Sequence, residues 1–246
     1  MKIQSKILLA LALSGLVTGA SAGGGLFSGK IGAGLTAAKG LSLSDADVIQ
    51  SAQDACAASD ELNPVAPAGN AYAKRLAGLV KGLGNEDGLK LDFKVYLVRD
   101  VNAFAMANGC VRVFAGLMDK ASDSELLGVI GHEIGHAKLG HTKKKMKAAL
   151  LTRAAREGVA ASGGKGAELA QSELGGLAED FINAQFSQKE ESEADVYGYH
   201  FMIRHKFDPN GLVTLFEKLP SSGGLMSSHP ASPKRAEKIR KLIAKG

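Results

Sequence analysis

The chain has 246 residues, 45% hydrophobic and 22% charged, a globular composition that excludes a disordered polypeptide. This length holds one domain of ordinary size whose core can stand without staples. The net charge is +5, from 30 Lys and Arg against 25 Asp and Glu, and no Arg-rich stripe marks a nucleic-acid partner. The one basic cluster, Lys143 to Lys145 with Lys147, reads as a solvated helix end.

Met1 to Ala22 reads as a bacterial secretory signal. Lys2 and Lys6 precede the short apolar run Ile7 to Leu13, and Ala20-Ser21-Ala22 is an A-x-A cleavage site, so the mature chain is expected to begin at Gly23. A retained anchor helix is the alternative, but the run is short and broken by Gly. Residues 23–41 are a Gly-rich, flexible leader, and 42–246 a single domain. Ala148 to Ala161 is the next most apolar stretch, interrupted by Arg153, Arg156 and Glu157. The expected form is a soluble periplasmic protein, at most peripherally attached to a membrane. In that oxidising compartment the only two cysteines, Cys56 and Cys110, are expected to be bridged rather than to remain buried thiols. Closing that loop contributes about 4 kcal/mol on the chain-entropy argument.

In chain order, Leu43 to Ala58 has helical periodicity with Ser44 as N-cap, and Asn70 caps a second helix over Ala71 to Leu83. Gly84 to Gly88 ends that helix. Strands follow at Phe93 to Leu97, at Val101 to Ala105 and, after the Asn108-Gly109 turn, at Val111 to Phe114. Ser122 to Glu125 is a capping box that opens a helix running through His132 and His136 to about Gly140. Ala148 to Phe186 reads as two helices joined at Ser162-Gly163-Gly164, and Gln188 to Arg204 as another. Asp208-Pro209 opens a helix to Leu219 with Pro at its first position. Ser221 to Ser228 is a Gly/Ser loop, and Ser232-Pro233 starts the last helix. The fold class is α+β, mostly helical, with a small three-stranded sheet.

The chemistry is carried by His132-Glu133-Ile134-Gly135-His136. Residues four apart on a helix share a face, so both imidazoles reach one ion, with Glu133 beside them to take a proton from water. Zinc bound by three protein ligands keeps an open position for that water. His141, five past His136, lies about 140° round a continuing helix and is read as a helix-end or packing residue. The third ligand is sought on the later acidic helix. Glu191 and Asp195 are i,i+4, so Glu191 can ligate while Asp195 orients a ligating histidine. Glu190 and Glu193 read as solvent-facing, and His200 and His205 as structural.

These residues resemble a known family. His132 to His136, followed by Glu191-Ser192-Glu193-Ala194-Asp195, is similar to the gluzincin zinc peptidases that include the prenyl-protein CAAX proteases and the bacterial HtpX, BepA and LoiP proteins. Asn102-Ala103-Phe104-Ala105 with Gly109, Phe186-Ser187-Gln188, and His229-Pro230 with Arg235 agree with the same family. The likeness extends from about Ser42 to the end and is nearest the LoiP-like members, both cysteines included. It implies a zincin-like metallopeptidase domain with one zinc ion, held by His132, His136 and Glu191, with Glu133 as general base. It also implies a role in envelope protein quality control, on unfolded or misassembled envelope proteins, with peripheral outer-membrane or envelope partners. Asn102, Ala103 and Phe104 would pair with an extended substrate by β-augmentation. On residue type alone, Asn102 is a turn residue and Phe104 a core residue. His229 is placed near the zinc, either to stabilise an oxyanion or to plug the open position; Tyr197 and Tyr199 are weaker oxyanion candidates. LoiP-like relatives carry a lipid-bearing cysteine at the end of the signal; here Leu16 to Gly19 is followed by Ala20. The readings that follow are an active zinc endopeptidase or a latent, chaperone-like zinc protein.

Overall fold

The computed structural model describes residues 43–160, 168–219, 224–229 and 233–245. The signal segment, the leader, the Ser162-Gly163-Gly164 junction, Pro230 and Ser232 lie outside the described residues.

Local chemistry sets the element boundaries. Helix α1 (Asp45–Leu62) begins at Ser44, whose hydroxyl accepts from the Asp47 amide while the Asp47 carboxylate accepts from the Ser44 amide. It buries Val48, Ala52, Ala55 and Cys56 on one stripe. Helix α2 (Ala71–Leu79) is capped by Asn70 and stops at Val80, four residues earlier than the periodicity predicts. Leu83 still reaches the core, from a turn rather than from the helix. The Gly84 to Gly88 stretch does more than end a helix: it builds a hairpin of β1 (Asn85–Glu86) and β2 (Leu89–Lys90), turned by Asp87 at φ 49° and Gly88 at φ 82°.

The main sheet contains β3 (Asp92–Tyr96), β4 (Ala103–Ala105) and β5 (Cys110–Phe114), in spatial order β3-β5-β4. β5 is parallel to β3, with Asp92 opposite Cys110, and antiparallel to β4, with Phe104 opposite Arg112. Val101 and Leu97 fall outside the strands. Tyr96 is fully buried although simple alternation puts it on the polar side; its hydroxyl donates to Asp60 and accepts from the Ser59 hydroxyl, both of α1.

The sheet lies between two apolar layers. One holds Val48, Ala52, Tyr96, Phe104, Met106, Phe114, Met146 and Phe181. The other holds Leu76, Val95, Ala103, Val113, Leu126, Ile130, Ile134, Phe201 and Met202. Burying one such large side chain contributes roughly 1.5–3 kcal/mol. The expected disulfide joins Cys56 of α1 to Cys110 of β5.

The remaining elements are helical: α3 (Ala115–Lys120), α4 (Asp123–Lys138), α5 (His141–Ala160), α6 (Glu168–Asn183), α7 (Gln188–Arg204), α8 (Asn210–Lys218), α9 (Leu225–Ser228) and α10 (Pro233–Ile243). Helix α3 has no counterpart in the sequence reading. Pro209 sits at the N-cap of α8 rather than inside it, and the Asp208 carboxylate accepts from the Asn210 amide. Part of the expected Gly/Ser loop is the single turn α9, which brings His229 inward. Among the described residues, no helix is long and apolar enough to cross a membrane.

Candidate metal centre

Helices α4 and α7 cross to form the centre. Helix α4 starts at the predicted capping box: Ser122 accepts from the Glu125 amide, and the Glu125 carboxylate accepts from the Ser122 amide. Helix α7 starts the same way at Ser187 and Glu190. These caps fix the rotation of both helices. His132 and His136 then share the face toward α7, and Glu191 and Asp195 share the face toward α4.

The donors converge in a buried cluster. His132 Nε2 is 3.0 Å from His136 Nε2, and Glu191 places one carboxylate oxygen 3.5 Å from His132 Nε2 and the other 3.4 Å from His136 Nε2. His229 joins them, with Nδ1 3.0 Å from Glu191 Oε1 and 3.2 Å from His132 Nε2. All four side chains are buried. Nitrogen and oxygen donors around a tetrahedral zinc ion lie about 3.3 Å apart, given bonds of about 2.0–2.1 Å. The observed spacings and the His/His/Glu donor set fit that ion.

The surroundings orient the donors. Asp195 Oδ1 lies 3.0 Å from His132 Nδ1, which favours the proton there and leaves Nε2 as the ligand atom. Arg235 of α10 grips Asp195 through two bonds of 2.7 Å and sets Nη1 2.5 Å from Glu191 Oε2. The Phe186 ring stacks on His136 at 3.7 Å and 19°. Glu133 is buried beside the cluster; Oε2 accepts from the Ala105 amide at 3.3 Å, and Oε1 is 3.2 Å from His229 Nε2.

The electrostatics favour the ligating protonation states of Glu191 and His136, whereas His132 is drawn toward its protonated form by the carboxylates around it. Burial pushes the Glu191 carboxyl up, but hydrogen bonds from His136 and His229 and the nearby imidazoles outweigh it and hold the group far below the usual carboxylate range. Asp195 is lowered as well: burial opposes, and the bonds from Arg235 and His132 prevail. For His136, burial wins over Glu191 and keeps the ring neutral, as metal ligation requires. For His132, burial is outweighed by Asp195 and Glu191, so its pKa is raised.

Several expectations need correction. His141 is at a helix end and packs on the centre, as read, but it is not turned away from the site, because α4 ends before reaching it. Gly140, at φ 79°, reverses the chain, and His141 opens α5 with Nδ1 3.1 Å from His136 Nδ1. Glu193 is not simply solvent-facing: Oε2 lies 3.1 Å from His141 Nε2. Glu190 serves the α7 cap and pairs with Lys144. Phe104 has its ring in the core against Tyr96 and Phe114. The Ala103 and Ala105 backbone faces away from β5, since the Phe114 and Met106 amides bond across the ladder to Asn102 and Cys110, but both residues are buried and their amides are taken by the Asn102 side chain and Glu133. Asn102 caps the strand, its side chain accepting from the Ala103 amide. Tyr197 donates to Asp87 and Tyr199 to the Leu242 carbonyl, both elsewhere. His205 pairs with Glu86, in keeping with its structural reading. The signal for His141 was the glycine before it, a residue that favours helix termination.

A cavity of about 590 Å³ opens on the far side of His141 and Phe186, lined also by Lys144, Lys145, Ser187 and Glu190. Burial lowers the Lys145 ammonium to about 8, and Nζ lies 4.0 Å above the Phe186 ring.

Residues 70–243 match the family described as Peptidase family M48. This chain belongs to peptidase family M48. It is 44% identical to the metalloprotease LoiP of Escherichia coli, over 98% of this chain and 96% of that protein. It is also 44% identical to the metalloprotease YcaL of the same organism, over 99% of each chain. Similarity to the E. coli β-barrel assembly-enhancing protease is 29%, over 60% of this chain and 32% of that protein. The His132, His136 and Glu191 cluster is therefore the zinc-type metal site of an M48 metallopeptidase.

Proposed function

We propose that the chain is a zinc-dependent endopeptidase of the bacterial periplasm that acts on unfolded or misassembled envelope proteins. The observation that carries this reading is the position of Glu133, buried beside three metal donors, with one oxygen held by the Ala105 amide. A site that only stabilised the fold would have no need of a general base there.

A zinc ion at His132, His136 and Glu191 would supply a Lewis acid for the scissile carbonyl and acidify the attacking water. The Glu133 carboxylate takes the proton from that water and delivers it to the leaving amine. The Ala103 and Ala105 carbonyls, on the side of β4 away from β5, are the groups an extended substrate would pair with, and the Ala105 amide holds the Glu133 carboxylate beside them. An unfolded chain supplies such a strand without first being opened. The name of the β-barrel assembly-enhancing protease supports an envelope role, with periplasmic export, signal cleavage before Gly23 and partners at the outer membrane as parts of the same proposal.

One observation favours a second, latent state of the same enzyme. His229 Nδ1 stands among the donors as a fourth corner, with Nε2 toward Glu133. A closed set of four donors is the pattern of a structural site, whereas a catalytic one keeps a position open. The deciding experiment is casein cleavage by the zinc-loaded chain beside Glu133→Gln and His229→Ala. Cleavage by the parent and not by Glu133→Gln is expected. Faster cleavage by His229→Ala identifies the histidine as a plug, and loss of cleavage identifies it as an oxyanion donor. Cleavage by Glu133→Gln at the parent rate would overturn the assignment of the base.

A further inference from the structure

We propose that His141, backed by Glu193, is a positioning residue that sets the tautomer and ring orientation of the metal ligand His136. The inference rests on the metal-centre reading and adds to it a second orienting chain, independent of Asp195.

The hydrogen assignment follows from the end of the chain inward. The Glu193 carboxylate only accepts, so His141 Nε2, 3.1 Å away, carries the proton. A neutral His141 protonated there has its lone pair on Nδ1. That lone pair faces His136 Nδ1 at 3.1 Å, which must then donate. His136 is left with its lone pair on Nε2, the atom that points at His132 Nε2 and Glu191.

Phe186 cannot supply this selection. Its stacking on His136 fixes the plane of the ring but is indifferent to a half-turn about the Cβ–Cγ bond, which restores that plane. A half-turn would exchange Nε2 for a carbon and remove the ligand atom. The bond to His141 distinguishes the two orientations. His141 is itself held: 7% exposed, it follows the left-handed Gly140 and opens α5. His132 is oriented by a buried carboxylate, whereas His136 is oriented by a relay ending at Glu193, whose side chain is 45% exposed.

The test is zinc affinity of the purified chain by competition with a chromogenic chelator, with circular dichroism to verify folding. His141→Phe keeps the ring and removes both nitrogens, and zinc affinity should fall about 10- to 100-fold. His141→Asn places an acceptor oxygen where Nδ1 stood and should recover most of that loss. Glu193→Ala should weaken binding by a smaller factor and add nothing on the His141→Phe background. Parent-like affinity in folded His141→Phe, an Asn variant as weak as Phe, or an additive Glu193→Ala effect would overturn the relay. If His141→Phe does not fold, the half-exposed Glu193→Ala decides alone, and unchanged affinity overturns it. A parent chain that takes up no zinc would overturn the metal centre itself and the relay with it.

Discussion

Arg112 is the most demanding side chain outside the metal centre. It sits in the middle of β5 with a side chain 1% exposed, and its guanidinium is bonded by Asp60 of α1, by Asp92 of β3 and by the Asp92 carbonyl. A buried guanidinium is tolerable only when so satisfied, and removing one partner costs about 3–5 kcal/mol. Asp60→Asn should therefore destabilise the protein by about 3 kcal/mol at neutral pH in urea titrations. The pH dependence follows from the Asp60 carboxyl: burial raises it, but bonds from Arg112, Lys94 and Tyr96 prevail and bring it down to about 2 from 3.8. A depressed carboxylate contributes fully above its unfolded value and loses that contribution as pH falls from about 4 toward 2. The gap between parent and Asp60→Asn should close over that window. Arg235 makes the parallel case at the centre, because only its planar fork holds Asp195 twice while also reaching Glu191. Arg235→Lys should weaken zinc binding about 10-fold in chelator competition, although charge is conserved.

At the scale of elements, the centre depends on how closely α4 and α7 approach. A Cβ at Gly131 would collide with the Phe201 ring, so this glycine lets the two helices touch. Gly131→Ala gains helix propensity of about 1 kcal/mol but forces a repacking that costs about 1–3 kcal/mol. The net expectation is loss of stability by thermal melting, with weaker zinc binding as Glu191 is pushed from the histidines. Capping acts on the same geometry: Ser187→Ala should cost about 1 kcal/mol, read in denaturant unfolding. Most of this was legible in the sequence. The Ser122 to Glu125 box, the i,i+4 spacings and the Gln188 to Arg204 boundaries are local signals, and local signals survive folding. The His141 to Glu193 relay was not legible, because it depends on a chain reversal at Gly140 and on which face α5 turns toward α7. The Gly84 to Gly88 hairpin escaped for a similar reason: Glu86 is buried there only because Arg204 of α7 and the following His205 meet it. The depth of Phe104 is a property of the two-layer packing around the sheet.

At the scale of the whole molecule, covalent and ionic ties coincide. The Cys56–Cys110 bridge spans 54 residues and joins α1 to β5 beside Arg112, whose Nη2 is 3.2 Å from Cys56 Sγ. A loop of that length contributes about 4 kcal/mol, and for a chain of this size each kcal/mol shifts Tm by about 2–4 °C. Dithiothreitol, or Cys56→Ser with Cys110→Ser, should lower Tm by about 8–16 °C in calorimetry, without removing the metal donors, none of which is a cysteine. That bridge is also the one long-range pairing that composition could indicate, since two cysteines allow only one partner each.

His132 and His229 lie 97 residues apart in the chain, and Arg235 is supplied by the last helix. The three metal donors thus cannot meet until α7 has been made and packed on α4, and their orientation is complete only when α10 has docked. Partial chains that stop short of α7 lack the machinery to hydrolyse one another. A molecule that loses α10 through damage loses the grip on Asp195 and Glu191 at once. Cutting power is in this way tied to the enzyme's own integrity: the metalloprotease is disarmed when it unfolds.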